Sequence, residues 1–177
     1  LWGVMITEDN DVVKTGIINW PSHLCSLTGS GYTTLVGAWR FVSSKLYDMI
    51  PASDIRKQWF VSPEGTTSLV GPEVVGSFGM DPYTNVKFGA YQSIVGNPTN
   101  ASDWPLIKAE AEAMGGDLAK AKTTLESFVQ TYRDPQFKSK AASAEQFQDE
   151  VWLQRRMELW GEGFGLFDIL RLKKPVD

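Results

Sequence analysis

The last third of the chain contains the stretch that decides the fold: EVWLQRRMELWGEGFGLFDILRLKKP, residues 150–175. Apolar residues recur in it at three- and four-residue steps, which predicts a helix over about residues 144–160. Two glycines then interrupt the helix, and a short final helix over residues 164–172 precedes Pro175. The predicted apolar stripe consists of Leu153, Met157, Trp160 and Phe164.

The same stretch carries charged residues among its aromatic residues. On a helix, Arg155 and Glu158 lie on one side, and Asp168 can reach Arg171 at three residues' separation. Charges are costly to bury unpaired, whereas paired charges fix the register of two helices. We therefore interpret the charged set as a structural ion network, with a ligand-binding role as the alternative. The network consists of Arg156, Glu158, Glu162, Asp168 and Arg171.

A helical hairpin is predicted just before this stretch. Pro105 suits the start of a helix that ends near Met114, where Gly115 and Gly116 stop it. Asp117 then caps a second helix. So short a turn makes the two helices antiparallel, as in a tetratricopeptide-like repeat. The two helices can approach closely at three small residues, Ala109, Ala113 and Ala121. The apolar face of the second helix carries Leu118, Ala121, Leu125, Phe128 and Tyr132.

Residues 1–104 are loop-rich, with many of the glycine and proline residues of the chain. Helical periodicity predicts one helix near residues 38–49, which Pro51 ends. We expect residues 1–177 to form a single domain, with residues 105–177 as its helical part. The predicted fold class is mainly α, with tetratricopeptide-like hairpins, long loops and a few short strands.

Composition excludes several classes of protein. Of the 177 residues, 42% are hydrophobic and 21% are charged, which is typical of a globular protein and not of a disordered one. The net charge of -4 gives no basic surface for nucleic acid. No apolar run approaches the about 20 residues that span a bilayer.

No pattern for catalysis, metal binding or a cofactor is found. Cys25 and His23 are the only residues of their types, which is too few for a Cys/His metal site. Ser22 is adjacent to His23, and sequence neighbours rarely have the geometry of a serine triad. No two carboxylates are paired as a glycosidase requires. We therefore expect a protein that is not an enzyme and that holds no metal or cofactor.

Residues 150–175 resemble the C-terminal signature of the SusD/RagB family. Members of that family carry a run of the type R-x-E-L-x-G-E-G-x-R-x-x-D-L-x-R at this place. One departure is Gly165, where an arginine is usual. The matching residues are Arg156, Glu158, Leu159, Gly161, Glu162, Gly163, Phe167, Asp168 and Arg171.

Two further stretches are similar to the same family. Asp54-Ile55-Arg56 looks like the "D-x-R" entry to a helix, and residues 107–121 resemble the last tetratricopeptide-like hairpin. In relatives, several more residues usually separate the Pro-Leu pair from the Ile-x-Ala-Glu-Ala run of this hairpin. Here Leu106 is followed directly by Ile107. The resemblance therefore implies a SusD-like α-α superhelix whose first hairpin helix is short in this chain.

The resemblance also implies a function. It suggests the C-terminal portion of a lipoprotein on the outer membrane of a Bacteroidetes-type bacterium, active in polysaccharide utilisation. Such a protein binds oligosaccharide or another nutrient and passes it to a TonB-dependent, SusC-like transporter. The lipid anchor and the first helical repeats are expected ahead of Leu1, and Cys25 is not the lipidated cysteine because no apolar signal segment precedes it.

The resemblance specifies no ligand residues, so candidates come from physical reasoning alone. Aromatic side chains on loops can offer a half-exposed ring to a sugar, although each could equally pack in a core. A helical-repeat scaffold that binds another protein is the alternative function. The candidate ligand-binding residues are Trp20, His23, Tyr32 and Trp104.

Overall fold

The computed structural model describes residues 39–87 and 103–175, with side chains in the second segment described from Pro105 onward. Contacts divide the chain into two compact units. The described part of the first comprises residues 39–49 and 57–87, and that of the second comprises residues 50–56 and 103–175.

Regular structure in these residues is helical, which confirms the mainly α fold class. Extended pairing in the described segments is limited to two isolated antiparallel bridges, Phe41 with Thr84 and Phe60 with Asn85. The helices are α1 (Ser44–Met49), a 3-10 helix (Ile55–Trp59), α2 (Pro72–Phe78), α3 (Asp103–Met114), α4 (Leu118–Tyr132), α5 (Ala144–Glu158) and α6 (Gly165–Leu172).

In the first unit, the helix expected near residues 38–49 spans Ser44–Met49. The residues just before it are extended because their backbone pairs with a distant turn. The N–H group of Val42 donates to the carbonyl of Tyr83 at 3.0 Å. Apolar spacing alone cannot reveal this pairing, since an extended segment can bury Val42 equally well. The core of the unit consists of Val61, Val70, Val75, Met80 and Val86.

In the second unit, α3 and α4 form the predicted hairpin. Gly116 adopts a φ of 95°, a left-handed conformation that glycine accepts without steric cost. The Asp117 side chain accepts a hydrogen bond from the N–H group of Lys120 at 2.9 Å, which confirms the predicted cap. The helices pack through small and branched residues that are almost fully buried: Leu106, Ala109, Ala113, Ala121, Leu125 and Val129.

Helix α5 is capped by Ser143, whose hydroxyl accepts from the N–H group of Gln146 at 3.3 Å. Its predicted apolar stripe is wrong in part: Met157 is buried, but Phe164 beyond the helix end is 39% exposed. The buried face instead begins with Phe147 and continues through polar and charged side chains. Its members are Phe147, Val151, Gln154, Arg155, Met157 and Glu158.

Candidate functional site

Three of the four candidate ligand-binding residues, Trp20, His23 and Tyr32, lie outside the described residues. The fourth, Trp104, is the second residue of α3, but its side chain is not among those described. These residues therefore stay predictions.

The first group of charges joins α3, α5 and α6. Asp168 is 3% exposed and accepts hydrogen bonds from the Nε atoms of Arg155 and Arg171, each at 2.7 Å. Arg171 also donates from both terminal nitrogens to Glu110, at 2.6 and 2.9 Å. These bonds to Glu110, followed by those to Asp168, raise the pKa of Arg171 further above its ordinary value. The guanidinium of Arg171 is thereby fixed by two carboxylates from two helices.

The second group is centred on Glu158 at the end of α5. Arg133 donates to both carboxylate oxygens of Glu158 at 2.7 Å, the two-bond geometry that makes such pairs strong. Arg56 lies 3.4 Å from the same carboxylate. Arg56 is fully buried and also contacts the carboxylate of Asp54 at 2.6 Å and the side-chain oxygen of Gln154 at 2.6 Å.

The remaining two members of the predicted network lie nearby in the sequence. The guanidinium of Arg156 lies over the ring of Trp152, with its carbon 5.0 Å from the ring centroid. Lys174 approaches the same ring at 5.2 Å. Glu162 follows α5, and its backbone N–H group donates to the carbonyl of Leu159 at 3.0 Å.

Sequence reasoning had missed several partners in these two groups. The spacing Asp54-Ile55-Arg56 was noticed as a motif, but no local pattern connected it to Glu158, which is 102 residues away from Arg56. Glu110 and Arg133 carry no motif. Their only signal is a charged residue beside the buried face of an amphipathic helix. The partners that were missed are Asp54, Arg56, Glu110 and Arg133.

An open groove of about 410 Å³ lies beside the first group of charges. Its polar side chains already contact one another, since Arg171 is bound to Glu110 and Arg155 to Asp168. Ile107 is 45% exposed and Met114 is 55% exposed. The groove is lined by Ile107, Glu110, Ala111, Met114, Arg155 and Arg171.

Candidate metal ligands do not cluster in the described residues. Within residues 39–87 and 103–175 no group of three His, Cys, Asp or Glu side chains could hold a metal ion. A carboxyl group that acts as a general acid needs a raised pKa. The pKa values of four described Glu side chains are lowered instead: Glu64, Glu112, Glu126 and Glu145.

The sequence model of the SusD family matches residues 76–177, which is more than half of the chain. The chain belongs to the SusD family. Comparison with curated proteins and with solved structures finds no match. The matched range of this SusD-family chain includes all of α5 and α6.

SusD-family proteins bind glycans or other nutrients, are not catalysts and are associated with the outer membrane. In the described part of this chain, no helix has the length and hydropathy needed to cross a membrane.

Proposed function

We propose that this protein captures a glycan or related nutrient at the cell surface and delivers it to a TonB-dependent, SusC-like transporter of the outer membrane. A lipid anchor ahead of the present chain holds it there. The observation that carries the proposal is the SusD-family match over residues 76–177.

The ion pairs at α5 and α6 support a structural role for that segment. Each of Arg155, Glu158, Asp168 and Arg171 pairs with a charged residue of the same unit, so we assign recognition of the ligand to other parts of the molecule. Aromatic rings on loops suit sugar binding because the C–H face of a pyranose is apolar and packs flat on a ring. On this reasoning the ligand contacts are Trp20, His23 and Tyr32. Trp104 is the fourth candidate, although it lies at the start of α3 and not on a loop.

A glycan array with the full-length protein tests the proposal. We expect saturable binding to one glycan class, and no shortening of the bound glycan after prolonged incubation. Trp20→Ala should weaken that binding. The matched control is Tyr132→Ala, which removes an aromatic ring that is 59% exposed at the end of α4. The control should bind as the wild type does.

Absence of binding to every glycan would contradict the carbohydrate part of the proposal. Affinity purification of the tagged protein from outer membranes then separates the remaining possibilities. Recovery of a TonB-dependent transporter would support delivery of a different nutrient. Recovery of other proteins alone would favour the helical-repeat scaffold.

A further inference from the structure

The turn at residues 81–84 contains an unusual backbone conformation. The N–H group of Thr84 donates to the carbonyl of Asp81 at 3.2 Å, and Pro82 occupies the second position, as in a type II turn. Such a turn requires a positive φ at its third position, where glycine is usual. Here that residue is Tyr83, with a φ of 69°. Tyrosine in this conformation costs free energy that glycine would not.

The surrounding backbone holds Tyr83 firmly in this conformation. Its N–H group donates to the carbonyl of Val61 at 2.7 Å, and its own carbonyl accepts from the N–H group of Val42 at 3.0 Å. The hydroxyl of Thr84 donates to the carbonyl of Asp81 at 2.7 Å. With both of its backbone groups bound, the residue has a fixed position from which its side chain projects.

The ring of Tyr83 rests on a second aromatic ring. Its centroid lies 5.3 Å from that of Tyr47, and the two planes meet at 77°. Tyr47 is only 6% exposed, whereas Tyr83 is partly exposed. The ammonium group of Lys57 lies 4.5 Å from the Tyr47 centroid and donates to the Tyr47 carbonyl at 3.3 Å. Tyr83 is therefore a partly exposed residue whose ring contacts a buried aromatic ring.

An exposed carboxylate belongs to the same turn as this ring. Asp81 lies two residues before Tyr83 and is exposed. A partly exposed aromatic ring in a turn that also carries a carboxylate matches a sugar, which has an apolar C–H face and hydroxyl donors at its edge.

We propose that Tyr83 is a glycan-contacting residue, whose ring packs against a sugar while Asp81 in the same turn accepts a hydrogen bond from one of the sugar hydroxyl groups. This inference rests on the proposed function of glycan binding. It gives the positive φ of Tyr83 a functional reason, because glycine would fit this backbone conformation but would supply no ring.

The test uses variants that fit the turn. Tyr83→Gly and Tyr83→Asn remove the ring, and both new residues accept a positive φ, so the fold is kept. Tyr83→Phe keeps the ring and removes only the hydroxyl. Binding of the glycan selected by the array is measured by calorimetry on the full-length protein, and thermal unfolding is measured for each variant. Tyr132→Ala serves as the control for loss of an exposed ring elsewhere.

We expect Tyr83→Gly and Tyr83→Asn to weaken binding about tenfold or more, as is usual when a stacking aromatic is removed. Tyr83→Phe and Tyr132→Ala should stay within about threefold of the wild type. If Tyr83 had only a structural role, loss of binding in Tyr83→Gly would be accompanied by a loss of thermal stability. Weak binding with unchanged thermal stability in Tyr83→Gly, together with near wild-type binding in Tyr83→Phe, therefore indicates a direct contact with the glycan.

Two results would overturn the inference, and they differ. Wild-type affinity in Tyr83→Gly or Tyr83→Asn, while the wild type binds a glycan, refutes the role of Tyr83 and leaves the proposed function standing. Failure of the wild type itself to bind any glycan refutes both.

Discussion

The guanidinium of Arg56 lies 3.4 Å from the carboxylate of Glu158, although the two residues are 102 positions apart in the chain. Arg56 is fully buried and Glu158 is 4% exposed. Asp54 and Gln154 complete the surroundings of the guanidinium, with contacts of 2.6 Å each. The Asp54-Ile55-Arg56 segment is thus attached to the signature helix α5 by charges that lie inside the second unit.

Replacing Arg56 by Met should destabilise the protein strongly. The substitution leaves the buried carboxylate of Asp54 without its cation, and a buried pair broken on one side costs about 3–5 kcal/mol. Glu158 still forms its ion pair with Arg133 in this variant, so the carboxylate left without a cation is that of Asp54. The measurement is the free energy of unfolding in urea.

The control for Arg56→Met is Lys138→Met. Lys138 pairs with Glu126 at 3.0 Å, but its side chain is 70% exposed. Surface pairs contribute less than about 1 kcal/mol because water screens them. Equal decreases in the free energy of unfolding of the two variants would show that the burial of Arg56 does not determine how much its ion pairs stabilise the protein.

Asp168→Asn should also be destabilising, by about 3 kcal/mol. Asp168 is the shared acceptor of Arg155 and Arg171, and the side chain of Arg155 is 7% exposed. Without the carboxylate charge, Arg155 is a buried cation with a weaker acceptor. Asp149→Asn is the matched control on α5, because Asp149 is 58% exposed and pairs with Lys174 at the surface. A loss in Asp149→Asn as large as that in Asp168→Asn would contradict the prediction.

Much of the second unit could be predicted from the sequence, because its signals are local. The helix ends are set by residues that lie within one helical turn of them, namely Gly116, Asp117 and Ser143. The apolar stripe of α5 was misjudged because paired charges occupy its buried face. Arg155 and Glu158 look like surface residues until their partners on other elements are known.

The site was much harder to predict than the helices. The Arg56–Glu158 and Glu110–Arg171 pairs join residues far apart in sequence, and single residues such as Glu110 and Arg133 carry no spacing that indicates a partner. Tyr83 was missed for a different reason. Pro82 signals a turn, but the positive φ at the next residue depends on backbone pairing with Val42 and Val61.

Enlarging Ala121 tests the close packing of the hairpin. Ala121 has no exposed surface, so Ala121→Leu must displace neighbouring side chains and should cost about 1–3 kcal/mol. Ala119→Leu is the matched control, since Ala119 lies on the exposed side of the same helix. Leucine is nearly as good a helix former as alanine, so the control should unfold at nearly the wild-type urea concentration. A tolerated Ala121→Leu would mean that the helices are not in close contact there.

Two glycines of the signature differ in what they tolerate. A Cβ atom at Gly163 or at Gly165 would meet no other atom within 4 Å. Gly163 has a φ of 88°, whereas Gly165 begins α6 without a positive φ. Gly165→Ala should therefore stabilise by about 0.4–1 kcal/mol through the unfolded chain, and Gly163→Ala should destabilise. Thermal unfolding of both variants measures the two changes in stability. A higher unfolding temperature for Gly163→Ala than for the wild type would contradict the explanation from backbone conformation.

Gly165→Arg restores the residue that is usual in the family signature. This variant should be stabilised less than Gly165→Ala, because a cation at a helix N-terminus interacts unfavourably with the helix dipole, at a cost of about 0.3–1 kcal/mol. An ion pair with a neighbouring carboxylate would cancel that cost. Adding salt distinguishes the two cases: a variant opposed by the dipole becomes more stable in salt, and an ion-paired variant becomes less stable.

The carboxyl group of Glu112 provides a pH-dependent test of the contact between α3 and α4. Its pKa is lowered, first by the hydrogen bond from the hydroxyl of Thr124 at 2.6 Å and then by Lys120, with Lys108 contributing from α3. A carboxyl group with a lowered pKa in the folded state adds stability above its unfolded pKa. It loses that stability as the pH falls through the folded value.

Thr124→Val removes the donor and should bring the pKa of Glu112 closer to its usual value. The wild type should therefore exceed the variant in unfolding free energy at pH 7, by a margin that shrinks as the pH falls below about 4. Thr123→Val is the control, because the hydroxyl of Thr123 donates only to the carbonyl of Ala119 and its loss should not depend on pH. Urea unfolding from pH 7 down to pH 3, with NMR titration of Glu112, measures both quantities. A margin for Thr124→Val that is the same at every pH would show that the hydroxyl acts through packing and not through the carboxylate.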